Sequence, residues 1–160
     1  MNPRQKVTIT FDPAQPDRVL ASLAQLCEAG AGWMNLLPGV VEEAAEPEAG
    51  AGLFAIFGTR QAPVTMATLM PPKVDRRSTE GITLGLLHPT GPKAVPRLRD
   101  AGIALPEGWK VRQDHARRGL VVRTPVDEDP AAVVAWAVAA GTELCRAPMT
   151  GSWQAVVYLP

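Results

Sequence analysis

From Ile82 to Leu159 the chain changes its hydrophobic period in an order that few architectures accept. "ITLGLLH" alternates as a strand, "PKAVPRLRDAG" has helical spacing and closes on Gly102, and "GWKVRQDH" and "GLVVRT" are strands joined by a short turn. "PAAVVAWAVAAGTELC" is helical again, and "SWQAVVYL" is a last strand. Period two places alternate side chains on one face of a sheet and period 3.6 places them on one stripe of a helix, so the order of periods is an order of elements.

Strand, helix, strand, strand, helix, strand is the connectivity of the ferredoxin-like split βαβ unit. The fold class expected is therefore α+β, an antiparallel sheet with helices on one face. Asp129 before Pro130 strengthens the second helix, because a carboxylate cap and a first-turn proline both suit a helix start. Pro96 weakens the first, which should begin late or bend.

The N-terminal half repeats the form less completely. "KVTITF" alternates Val7, Ile9 and Phe11 against Lys6, Thr8 and Thr10. A helix is predicted over 16–29, with Val19, Leu20, Leu23, Leu26 and Cys27 on one face and Gly30 supplying the left-handed residue that ends it. The acidic stretch "GVVEEAAEPEAGAG" suggests a loop, "LFAIFG" and "PVTMATLM" a hairpin, and "PPKVDRRSTEG" a linker. Met66 and Met70 share a parity with Val64 and are assigned to the core. The whole is taken as one domain: a degenerate βαβββ copy over 1–72, a linker over 73–81 and a βαββαβ unit over 82–160. "AGWMNLLP", "EGWKVRQD" and "GSWQAVVYLP" each set a tryptophan at a strand start, which predicts Trp33, Trp109 and Trp153 under the ends of the preceding helices.

Composition narrows the function. The chain has 160 residues, with 16 Lys and Arg against 16 Asp and Glu. Within that balance, residues 73–123 hold eleven basic and five acidic groups, a net of +6 offset by −3 on either side. Only 5% of residues are aromatic, too few for the stacking platforms of single-strand nucleic-acid binders, so nucleic acid is not an expected partner. No apolar run is long enough to span a bilayer, no secretion signal opens the chain, and Cys27 and Cys145 suit buried thiols of a cytoplasmic protein. No metal, cofactor or nucleophile pattern is present, which points away from an enzyme.

Two function classes remain. Parity along Trp109–His115 puts Trp109, Val111, Gln113 and His115 on the core face, with Lys110, Arg112 and Asp114 opposite. In a right-handed βαββαβ unit the bend after the first strand and the hairpin tip meet at one end. That end gathers His88, Thr90, Lys93, His115, Arg117 and Arg118, a candidate site for a small anionic ligand. The favoured class is an interaction or regulatory module that self-associates through a sheet face, with Val121, Ala155, Val157, Leu159 and Leu53 as its apolar surface.

Overall fold

A computed structural model describes residues 5–41, 63–73 and 80–160. The described elements are β1 (Gln5–Phe11), α1 (Asp17–Ala29), β2 (Trp33–Val40), β3 (Met66–Met70), β4 (Glu80–Leu87), α2 (Ala94–Asp100), β5 (Lys110–His115), β6 (Gly119–Pro125), α3 (Pro130–Leu144) and β7 (Met149–Leu159). The expected "LFAIFG" strand, the acidic loop, Leu53 and most of the linker lie outside the described residues.

The strands form one seven-stranded antiparallel sheet in the order β1-β7-β2-β3-β4-β6-β5. The α+β class and the antiparallel sheet are as expected. The strand order is not, since a ferredoxin-like unit would close β7 beside β4. Instead α3 carries the chain across β4, β3 and β2, and β7 pairs with β1 on one side and β2 on the other. Two crossovers share a geometry. β1-α1-β2 and β4-α2-β5 each return parallel to their start, with one antiparallel strand in the gap. The C-terminal β7 fills the first gap and β6 the second.

Local chemistry explains the elements. α1 buries Val19, Leu23 and Leu26 at helical spacing and ends on Gly30, at φ 63°, where a left-handed residue lets the Gly30 N–H reach the Leu26 and Cys27 carbonyls. α3 starts as its sequence predicts, with the Asp129 carboxylate accepting from the Ala131 N–H at 2.9 Å and proline at the first turn. α2 does begin late, at Ala94, which leaves Pro96 in the first turn where no helical N–H is lost. Pro38 is accepted in β2 because the β3 register ends at Leu36, so among the described residues the strand has no partner on that side by then.

All three helices cover one face: α1 packs on β1, β7 and α3, α3 on β2, β3 and β4, and α2 on β5 and α3. Beneath them lie Ile9, Phe11, Trp153, Ala155, Val157, Met34, Leu36, Ala67, Leu69, Leu84, Leu86, Leu120 and Val122, all buried. Each fully buried leucine among them contributes about 1.5–3 kcal/mol relative to exposure. Gly141 of α3 gives passage to the Trp153 ring, whose Cη2 would lie 2.9 Å from a Cβ there. Beside it the buried Thr65 hydroxyl donates to the Gly141 carbonyl at 2.7 Å, tying the segment before β3 to α3.

The tryptophans divide. Trp153 packs under α3, as predicted. Trp109 is buried and meets Trp136 of α3, ring centroids 5.4 Å apart. Trp33 alternates with the buried Met34, so it lies on the face away from the helices, stacked on Tyr158 at 4.6 Å and 17°.

Candidate functional site

A β-bulge decides what the charged hairpin can do. β5 and β6 pair Val111 with Val122, then Gln113 with Val121, so Arg112 is the extra residue and the parity of β5 reverses beyond it. Asp114 therefore stands opposite the buried Leu120, on the helix side, and His115 stands on the other side. The assignment from unbroken alternation is overturned for both residues. Asp114 works on α2: its two carboxylate oxygens accept from the Ala94 and Val95 N–H groups, each at 3.0 Å.

The six residues of the expected anion site share one end of the sheet, because β4 and β5 run parallel. They do not share a centre. His88 follows β4 with the parity of Leu84 and Leu86 and is 8% exposed on the helix side. Its Nδ1 lies 2.9 Å from the Thr90 hydroxyl, and its buried Nε2 has no hydrogen-bond partner among the described residues. Burial holds its imidazole below the ordinary value of 6.5; the Asp114 charge pulls the other way, and Arg97 adds to the lowering. Lys93, at φ 64°, turns the chain into α2 and is exposed. His115 lies across the sheet, and its Nδ1 accepts from the Arg117 and Arg118 N–H groups at 3.1 and 3.2 Å. Arg117 and Arg118 are exposed at the hairpin tip.

The second candidate surface is the sheet face opposite the helices. The pairing registers align its side chains in three rows across the strands. One row begins Lys6, Tyr158, Trp33, continues with Met70 and Thr83, and ends Arg123, Lys110; another includes Leu37, Met66 and Leu87. Between them run Thr8, Val156, Asn35, Thr68, Gly85 and Val121, with the Thr68 hydroxyl donating to the Asn35 Oδ1 at 2.9 Å. Met70 is 43% exposed and the other apolar members are half-buried. A Cβ placed at Gly85 meets nothing within 4 Å among the described residues.

This face differs from the expected one in composition. Ala155 and Val157 lie under the helices, while Val121 is on the open side with Val156 and Tyr158. Met66 and Met70 are also on the open side, and Ala67 and Leu69 between them form the core. One end of the face is basic. Lys110, Arg112 and Arg123 gather there around Glu80, which accepts from both arginines.

Gly85 and the Trp33–Tyr158 stack were not singled out in the sequence. A glycine inside "ITLGLLH" was the available signal, since an interior strand glycine often marks a close approach. Among the described residues no group of three His, Cys, Asp or Glu could hold a metal, and no helix is long and apolar enough to cross a membrane. No protein-family model, curated protein or solved structure matches the chain.

Proposed function

We propose that this protein is an interaction module that self-associates through the open face of its sheet. The observation that carries the reading is Gly85. A glycine inside a strand costs about 0.5–1 kcal/mol relative to alanine, and among the described residues no neighbour lies within 4 Å of a Cβ placed at Gly85. The missing side chain at Gly85 lies between Thr68 and Val121, with Met70 in one neighbouring row and Met66 and Leu87 in the other, and a gap so placed suits a surface into which another chain projects a side chain.

The anionic-ligand reading of His88, Thr90, Lys93, His115, Arg117 and Arg118 has less support, because the two imidazoles occupy opposite faces and both Nδ1 atoms are already hydrogen-bonded. We further read the two split crossovers as copies of one ferredoxin-like unit, the last strand of the second having been drawn into the gap of the first.

The test is Gly85→Lys. A Cβ there meets no described atom within 4 Å, and the lysine would project from the open face. Sedimentation equilibrium should show a lower mass for the variant than for the wild type at equal concentration, with the circular dichroism spectrum unchanged. Equal masses, or a wild type that is monomeric at high concentration, would refute the reading.

A further inference from the structure

The sheet has two outer strands, and they are built differently. β5 carries a bulge at Arg112 and exposes Lys110 and Arg112, features that discourage strand addition. β1 has neither. Its seven residues pair with β7 in unbroken register, no proline or bulge interrupts them, and none makes a hydrogen bond on the outer side among the described residues. An unbroken edge of this length is a template for another strand.

The β1 edge is also complementary to itself. Lys6 lies near the start of β1 and Asp12 directly follows its end, with one Asp12 carboxylate oxygen accepting from the Ala14 N–H at 2.9 Å; both residues have the parity of the open face. In an antiparallel pair of β1 strands centred on Ile9, Lys6 of one copy stands opposite Asp12 of the other. Val7 then faces Phe11 on the helix side, Thr8 faces Thr10 on the open side, and Ile9 meets its own copy. These are the β-branched with aromatic, threonine with threonine and opposite-charge pairs that stabilise antiparallel ladders. A shift of one residue would set apolar side chains against polar ones, and a shift of two would take Lys6 out of register with Asp12, so the Ile9-centred pairing is the one that keeps both matches.

We propose that β1 pairs with β1 of a second copy around a two-fold axis at Ile9, joining two sheets into one. This surface is an edge rather than a face; the inference goes beyond the open-face reading and does not rest on it. Together the two contacts make an assembly larger than a dimer.

Sedimentation equilibrium on four full-length proteins separates them. Thr8→Lys with Thr10→Lys sets lysine against lysine across the edge at exposed positions. This variant should retain only the face contact and sediment as a dimer. Gly85→Lys should retain only the edge contact and also sediment as a dimer, and the triple variant should be a monomer. A monomeric Gly85→Lys protein would overturn the edge proposal, whereas a monomeric Thr8→Lys, Thr10→Lys protein would overturn the face reading. A charge swap tests the register in the Gly85→Lys background. Lys6→Asp alone should raise the dissociation constant at least tenfold, and adding Asp12→Lys should restore it. Failure of the swap to restore association would also overturn the Ile9-centred pairing.

Discussion

Replacing Asp114 with alanine should loosen α2 from the sheet. The carboxylate satisfies two first-turn N–H groups, those of Ala94 and Val95, from a strand nearly twenty residues away. Removing a helix cap costs about 0.5–2 kcal/mol, and hydrogen bonds to a charged acceptor about 1.5–3 kcal/mol each before water returns to the freed donors. Asp114 is only half-buried, so water can partly replace it. A loss of about 2 kcal/mol follows. For a chain of this size each kcal/mol lowers Tm by about 2–4 °C, giving a fall of about 4–8 °C. Asp114→Asn keeps one acceptor oxygen and should lose about half as much. Differential scanning calorimetry reads both values, and amide exchange at Ala94 and Val95 should accelerate in the alanine variant. A Tm within 1 °C of wild type for Asp114→Ala, or equal losses for the two variants, would refute the bulge-positioned cap.

Other expectations concern single groups. His88 has a folded-state pKa below its unfolded one, chiefly through burial, so the stability it contributes is present above about pH 6.5 and lost as pH falls through the lowered value. Denaturant melts of His88→Gln between pH 7 and 5 should therefore show a flatter loss than wild type; parallel curves would contradict the assignment. Thr65→Val removes a buried hydrogen bond, while the Gly141 carbonyl keeps the Cys145 N–H at 3.1 Å, so the cost should be about 1 kcal/mol in urea unfolding. Lys93 occupies a left-handed conformation that costs a side-chain-bearing residue about 1–2 kcal/mol. Lys93→Gly should thus raise the unfolding midpoint or leave it level, and a clear fall would show that the lysine side chain itself holds the turn. Cys27, whose thiol is pushed up by burial, should react with a disulfide reagent at neutral pH more slowly than a free thiol does.

Features set by neighbours along the chain were legible in the residues alone. The period-3.6 stripe of α1, its Gly30 ending, the Asp129–Pro130 start of α3, the late start of α2 and the β5–β6 hairpin before Gly119 all follow from residues a few positions apart. Alternation likewise marked Ile9, Phe11, Trp153 and Val157 as sharing faces within their strands, though it could not say which face of the sheet the helices would cover. That choice misplaced Ala155 and Val157 on the open surface and Met66 and Met70 in the core.

Which strands are neighbours, and where the period breaks, came from long-range pairing. Strand order depends on which edge is open when a distant strand arrives, and nothing in "SWQAVVYL" names β1 and β2 as the partners of β7. The bulge at Arg112 adds one residue without a glycine or proline to mark it, and that one residue exchanges the roles of Asp114 and His115. The candidate end was legible because parallel strands finish together. Its division between two faces was not, since side-chain direction past a bulge is set by the pairing partner rather than by the strand's own alternation.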